Sequence, residues 1–336
     1  MVLSRPVAVR LIIMLAAALY AATPHAVAQK AGRTPYASER PLPTARIFGA
    51  GVISTEDFDD YFTFTPDGRT IYFTKHNHGF GSGTIVVSHF KGGGWSAPEV
   101  VAFSGRFNDS TPCLSPDGTK LFFTSDRPVE GTRPRNNSDI WVVERTPSGW
   151  SEPRRLPAPV NTDNFDWHPG VAADGTLYFA SNRTAAVAGN NIYRARPVAG
   201  GGYEVEILGD AVNGPRQDMH PTITPDGRTL LFVSEGRADS LGNDDLYVSY
   251  LRDGAWTTAR NLGPAVNTKF YEYSARLSPD GKYLFFCRGF GDLVRPPKRL
   301  DYGGLLRLLR SPFNGLSNIY QIDARAGGVE EVGGAR

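Results

Sequence analysis

Two kinds of signal are scarce in this 336-residue sequence: an excess of charge of one sign and the local motifs of common enzymes. Lysine and arginine number 36 against 34 aspartates and glutamates, so no basic field would draw the chain to nucleic acid or to anionic lipid. The sequence has no Gly-x-Ser-x-Gly elbow, no His-Glu-x-x-His pair, no phosphate-binding glycine loop and no cysteine pair at metal spacing. Binding to nucleic acid is therefore not expected, whereas a lyase or hydrolase built on loops stays open.

Long hydrophobic runs are also missing. The N-terminal apolar run, residues 11–22, is too short to span a bilayer. It follows two arginines and precedes the small residues Ala-Val-Ala at 26–28, which is the order of a cleavable signal peptide. We therefore expect residues 1–28 to be removed by cleavage after Ala28, leaving a periplasmic or secreted protein that does not span the membrane. Residues 29–43 would then form an N-terminal linker.

A short motif recurs along the rest of the chain: an apolar strand, Ser-Pro-Asp-Gly or a close variant, and a second strand with a Leu-x-Phe or Ile-x-Phe core. Asp-Gly supplies the positive φ that a two-strand hairpin turn needs. The turn aspartates are 50, 57, 52 and 54 residues apart. They are Asp67, Asp117, Asp174, Asp226 and Asp280. A period near fifty in an all-β pattern predicts a propeller with one blade per repeat.

Each repeat continues with a third strand of alternating or β-branched residues, and four repeats have a fourth strand that begins at Trp or Tyr. The predicted third strands are 84–87, 139–142, 191–194, 245–248 and 318–321. The fourth strands begin at Trp95, Trp150, Tyr203 and Trp256. Every complete repeat therefore has the four strands of one propeller blade.

The fifth repeat lacks a fourth strand, but residues 44–52 closely resemble residues 258–266 at the end of repeat four. We therefore predict an all-β fold, a five-bladed β-propeller of four-stranded antiparallel blades over residues 44–325. An N-terminal strand would close the ring by completing the last blade, and six blades are the alternative. The glycine-rich residues 326–336 are expected to form a disordered tail.

The repeats resemble the WD40-like family with the Ser-Pro-Asp-Gly signature (PD40), whose repeat also forms the propeller domain of TolB. The resemblance covers roughly residues 44–325 and rests on five copies of the motif. It implies the propeller fold but no particular activity, because propellers carry unrelated functions. Five repeats are expected here against the six blades of TolB, and no counterpart of the additional N-terminal domain of TolB is expected.

An acid stands just before the first strand of every repeat: Asp59, Asp109, Asp166, Asp218 and Glu272. Two residues later come Tyr61, Thr111, His168, His220 and Ser274. On innermost strands these residues would surround the mouth of a central channel, so the acids and the two histidines are candidate ligand-binding residues.

Five such carboxylates would repel one another. At about 9 Å and an effective dielectric of about 20, each neighbouring pair would cost on the order of 2 kcal/mol. One explanation is that the basic residue after each second strand offsets the charge: Lys75, Arg127, Arg183, Arg237 and Arg288. The other is that a divalent cation or a cationic ligand is held by some of the acids.

His168 and His220 occupy equivalent positions in adjacent repeats, which makes them the best candidates for a metal or acid–base pair. The alternative is that each histidine, which precedes a proline, is hydrogen-bonded scaffold.

Cys113 and Cys287 lie in repeats that are not neighbours in a five-membered ring, so two separate buried thiols are expected. The second-strand phenylalanines are expected in the core: Phe73, Phe123, Phe179, Phe232 and Phe286.

Two classes of function follow. The first is an exported, monomeric, non-catalytic propeller that binds a protein, ligand or glycan of the cell envelope through the rim carrying the fourth-to-first and second-to-third strand loops. The insertion at 289–317, rich in arginine and leucine, would offer that partner an apolar contact or else cap its own repeat. The second is a carbohydrate-active enzyme, a polysaccharide lyase or glycosidase, with a metal or acid–base site at the channel mouth.

Overall fold

The computed structural model describes residues 35–38, 40–77, 81–129, 136–184, 189–289 and 298–330. The predicted signal peptide and the last six residues of the predicted tail lie outside these ranges. Within them the chain is almost entirely β, and each predicted Asp-Gly hairpin is present. Glycine is required at these turns because the residue after the aspartate has a positive φ, 74° at Gly118.

The strands follow the predicted repeats. Strand β1 (Arg46–Ile47) precedes them all. Repeat one comprises β2 (Phe58–Phe64), β3 (Thr70–His76), β4 (Gly83–Lys91), β5 (Gly94–Trp95) and β6 (Glu99–Val100). Repeat two comprises β7 (Asp109–Leu114), β8 (Lys120–Ser125), β9 (Asp139–Thr146), β10 (Gly149–Trp150) and β11 (Arg154–Arg155). Repeat three comprises β12 (Asp166–Val171), β13 (Leu177–Ser181), β14 (Asn191–Val198) and β15 (Gly202–Ile207).

The last two repeats are built in the same way. Repeat four comprises β16 (Asp218–Ile223), β17 (Thr229–Glu235), β18 (Asp244–Arg252), β19 (Ala255–Trp256) and β20 (Arg260–Asn261). Repeat five comprises β21 (Tyr271–Leu277), β22 (Tyr283–Gly289) and β23 (Asn318–Asp323), with helix α1 (Tyr302–Leu309) between the last two strands. In repeats one, two and four the fourth strand is split into two short pieces, and in repeat three it is a single strand. In repeat five, β1 takes this place and pairs antiparallel with β23.

The first strands of the repeats lie next to one another. Strands β2, β7, β12, β16 and β21 contact each other in this order, and β21 also contacts β2. Repeats one to three each form an antiparallel sheet, whereas a parallel bridge between Asp244 and Tyr271 joins repeats four and five into one sheet. The innermost strands therefore surround a common central region.

The core lies between the sheets of neighbouring repeats. The five second-strand phenylalanines are completely buried, as predicted: Phe73, Phe123, Phe179, Phe232 and Phe286. Phe48, which follows β1, packs edge-on against Phe285 with ring centroids 5.0 Å apart. The N-terminal segment is thus fixed by packing as well as by its strand pairing.

The two cysteines are both buried and free, as expected from their positions in separate repeats. Val329 is also completely buried, so the first part of the tail, expected to be disordered, packs into the core cluster that repeats one, four and five share. In the insertion, α1 has no buried residue, and its Leu305 and Leu309 are exposed. No helix among the described residues is long and apolar enough to cross a membrane.

Candidate functional site

The five acids are buried within their own repeats and do not surround a channel mouth. All five side chains are completely buried. Each is bonded to a basic residue at the end of the second strand of its own repeat or just after it, over distances that range from 2.5 Å at Asp166 to 3.4 Å at Asp218. The pairs are Asp59–Lys75, Asp109–Arg127, Asp166–Arg183, Asp218–Arg237 and Glu272–Arg288. The local bases therefore offset the expected repulsion.

Each acid also fixes the loop that enters its strand. Asp166 accepts hydrogen bonds from the backbone N–H and the hydroxyl of Thr162, four residues earlier. Thr55 and Thr268 make the same contacts with Asp59 and Glu272. A carboxylate that accepts these hydrogen bonds and pairs with a base uses its oxygen lone pairs within the scaffold, and few remain for a ligand.

A β-bulge explains why the acid and the residue two positions later do not point the same way. In a regular strand, residues i and i+2 share a face, but the pairing of every first strand shifts register after the acid. The bulged residue adopts a positive φ of 41° to 53° in all five repeats: Tyr61, Thr111, His168, His220 and Ser274. The bulge turns these side chains inward, whereas the acids point between the sheets.

The bulged residues meet at the centre. The His168 and His220 rings are stacked with centroids 3.8 Å apart, and the Tyr61 ring is nearly parallel to that of His220 at 5.3 Å. All five bulged residues line one narrow void, which also contacts Arg276. The structure thus brings the five bulged residues together, and two of them are the candidate histidines.

The two histidines are neutral. Burial lowers the pKa of His220 to about 3 and that of His168 well below its ordinary value. Among the described residues, no cluster of three or more His, Cys, Asp and Glu side chains could hold a metal ion. The stacked pair thus presents a flat, uncharged aromatic surface at the centre.

An aromatic cavity of about 360 Å³ lies against one side of this stack, on the face of the fourth-to-first and second-to-third strand loops. Trp167 extends the stack, with its ring 4.8 Å from that of His168. The cavity is lined by Tyr61, His76, Asn108, Ser110, Thr124, Ser138, Trp167, His168, Met219, His220, Asp244, Tyr271 and Tyr273. Flat rings with a few hydrogen-bonding groups among them are typical of ligand sites.

Asp244 is the one carboxylate among the described residues that line the cavity, and no sequence pattern pointed to it. Burial raises its pKa to about 6, and the nearby Glu235, Asp245 and Glu272 add to the rise. It begins β18 opposite Tyr271, at the bridge that joins repeats four and five. Its position depends on a contact between repeats, which the sequence of one repeat does not reveal.

A second missed group lies at the cavity wall, where the lining residues His76 and Tyr273 both contact the buried Asp60. His76 Nδ1 is 3.0 Å from Asp60 Oδ1, and both side chains are buried. The Tyr273 hydroxyl lies 3.1 Å from the other Asp60 oxygen. Burial raises the pKa of Asp60, whereas the interaction with His76 acts to lower it. The available signal was that repeat one has Lys-His-Asn-His at 75–78, where repeats two and three have Ser-Asp-Arg and Ser-Asn-Arg; His78 lies outside the described residues.

Comparisons with known proteins give partial similarities. No family model matches the chain. A stretch of 146 residues is 30% identical to part of a cyclomaltodextrin glucanotransferase from Bacillus licheniformis, covering 38% of this chain and 20% of that protein. The chain thus spans about a fifth of the length of the curated relative it matches.

Solved structures similar to this chain include a putative TolB from Agrobacterium tumefaciens, at 18% identity and a TM-score of 0.46, covering 80% of this chain and 90% of that one. A GH43 endo-arabinanase from Bacillus licheniformis is 12% identical with a TM-score of 0.47, covering 80% and 94%. A glucose dehydrogenase is 10% identical with a TM-score of 0.46, covering 84% and 100%. Similarities this distant assign no activity to the chain.

Proposed function

We propose that this protein is an exported, non-catalytic five-bladed β-propeller of the WD40-like type that binds a glycan-bearing partner of the cell envelope in its aromatic cavity. The single observation that carries the proposal is the aromatic cavity itself. Closure of the ring in five blades, with β1 as the outer strand of the last, is supported by the contacts among first strands and by the β1–β23 pairing. Export is supported by the signal-peptide pattern of residues 1–28.

A sugar matches the chemistry of the cavity lining. Aromatic faces such as Trp167 and Tyr271 present apolar surface to the C–H groups of a sugar ring. Asp244, Asn108 and Ser138 offer acceptors and donors to its hydroxyls. The partial similarity to a cyclomaltodextrin glucanotransferase, a protein named for a glucan, favours a glycan over other ligands that could stack on aromatic side chains.

A carbohydrate-active enzyme is the second candidate, and Asp244 is the observation that favours it. Its raised pKa, about 6, would suit a general acid. Glycoside hydrolysis by the usual route needs two carboxyl groups facing the substrate. Among the described residues that line the aromatic cavity, Asp244 has no second carboxyl group beside it, and the five repeat acids are engaged elsewhere. Binding without turnover therefore fits the cavity better.

The test is a glycan array followed by calorimetry on the mature protein. We expect a selective glycan ligand whose affinity falls at least tenfold in Trp167→Ala and in Tyr271→Ala, because each variant removes a stacking face. Tyr302→Ala is the matched control, since Tyr302 is exposed on α1 and does not line the cavity. Equal loss in the control, or no glycan bound by the wild type, would refute the proposal. Product release from a bound glycan that stops in Asp244→Asn would establish the enzyme instead.

A further inference from the structure

A second cavity, of about 370 Å³, lies at the opposite end of the central region, beside the Asp-Gly turns. We call it the turn-end cavity. Its wall is a ring of apolar side chains, one from the end of each first strand: Phe64, Leu114, Val171, Ile223 and Leu277. Prolines of the turns form its rim, and three of them, Pro66, Pro225 and Pro279, are exposed. The cavity is therefore an apolar funnel that opens towards solvent.

Arg276 breaks the repeat pattern inside this funnel. It stands one residue before the apolar ring, where the other four repeats have small residues: Thr63, Cys113, Gly170 and Thr222. Gly170 is small for a steric reason, because a Cβ atom there would lie 2.6 Å from the Pro221 carbonyl oxygen. The four small residues leave central space for one long side chain. Arg276 lines both the turn-end cavity and the narrow void beneath the stacked histidines.

The Arg276 guanidinium lacks the carboxylate partner that the arginines beside the repeat acids have. Arg127 and Arg288 each bond a buried carboxylate at 2.7 Å. The Arg276 Nε atom is buried without a hydrogen-bond partner, and Nη1 contacts only the weak acceptor Sγ of Cys113 at 3.6 Å among the described residues. An unpaired charge held among apolar groups is costly, and an anion supplied from outside would offset that cost.

We propose that the turn-end cavity binds a small amphipathic carboxylate, with its carboxylate on Arg276 and its apolar body against the ring of five side chains. Guanidinium and carboxylate match in shape and pair through two parallel hydrogen bonds. The volume lies within the range of small-molecule sites. Asp226 also lines this cavity, and its negative charge would oppose binding of an anion. It is exposed at the rim, however, so solvent and salt screen its charge. This site is separate from the aromatic cavity and does not depend on the glycan proposal.

The experiment is calorimetric titration of the mature protein with octanoate, and with 1-octanol as the uncharged probe of the same length. We expect octanoate to bind one site per chain, and its dissociation constant to rise about 10- to 100-fold in Arg276→Gln. Arg276→Lys should retain part of the affinity because it keeps the charge. Hexanoate, which is two methylenes shorter, should bind about 15-fold more weakly than octanoate, since each buried methylene contributes about fourfold.

Arg228→Gln is the matched control: Arg228 is an exposed turn arginine next to Asp226 that does not line the cavity. Octanoate affinity should be unchanged in this variant. Three results would each overturn the proposal: no octanoate binding to the wild type, equal binding to the wild type and Arg276→Gln, or an equal loss in Arg228→Gln. If Arg276→Gln fails to fold, the comparison of Arg276→Lys with Arg228→Gln decides in its place.

Discussion

Replacing Asp244 by asparagine should stabilise the folded protein at neutral pH and leave its stability at acid pH unchanged. Asparagine has the same shape as aspartate but cannot ionise, so the change removes a charge without opening a cavity. The charge is unfavourable where it lies, because Asp244 is desolvated and faces the like charges of Glu235, Asp245 and Glu272. A carboxylate in this position is typical of a binding site rather than of a scaffold.

The magnitude follows from the pKa. Folding raises the pKa of Asp244 from 3.8 to about 6, and at 1.36 kcal/mol per pKa unit this corresponds to about 3 kcal/mol. Below about pH 3.8 the carboxyl is protonated in both the folded and the unfolded chain, so the variant gains nothing. As the pH rises through about 6, the wild type loses that stability and the variant does not. Relaxation around the charge lowers the expected gain to between about 1 and 3 kcal/mol.

The assay is urea unfolding of the wild type and Asp244→Asn in matched buffers between about pH 4 and about pH 8. The difference in unfolding free energy should grow with pH and level off above about pH 7. Asp210→Asn, an exposed aspartate outside both cavities, should show no such trend. A constant difference at every pH, or a difference that grows towards acid pH, would refute the assignment of a raised pKa to Asp244.

Three further predictions test the scaffold. Asp109→Ala should lower the free energy of unfolding by about 3–5 kcal/mol, because it leaves Arg127 buried and unpaired; the double change with Arg127→Leu should recover part of that loss in urea titrations. Phe232→Ala should cost about 3–5 kcal/mol by opening a cavity in a completely buried core, measured in the same way. Because folding lowers the pKa of His220 from 6.5 to about 3, the wild type should lose stability as the pH falls below about 6.5, and His220→Asn should lose less.

The repeat pattern was sufficient to predict the strands and several site positions. Asp-Gly turns and the period near fifty predicted every hairpin, and the similarity between residues 44–52 and 258–266 indicated the pairing of β1 with β23. The bulged positions, including His168 and His220, were found because they recur at a fixed distance from the repeat acids. These features are local or periodic, and a single sequence carries that kind of information.

What the sequence did not reveal depends on contacts between repeats and on the bulge. Alternation along a regular strand puts an acid and the residue two positions later on one face, so the acids were expected at the centre with the histidines. The bulge breaks that alternation, and only pairing registers reveal it. Asp244 faces the aromatic cavity because of its bridge to Tyr271 in the next repeat. No motif within one repeat encodes such a contact.

The departures from repeat symmetry are where this scaffold acquires chemistry. Equivalent positions in five repeats place equivalent side chains around the centre, so a ring of identical residues would give a symmetric lining with little preference for any ligand orientation. One arginine among four small residues makes the turn-end cavity directional, because the long side chain occupies space that its four counterparts leave open. Two histidines and a tyrosine among the bulged residues do the same for the aromatic cavity by forming a flat stack on one side. Restoring symmetry at position 276 with threonine, the residue of repeats one and four, should therefore abolish carboxylate binding while leaving the strand pairing intact.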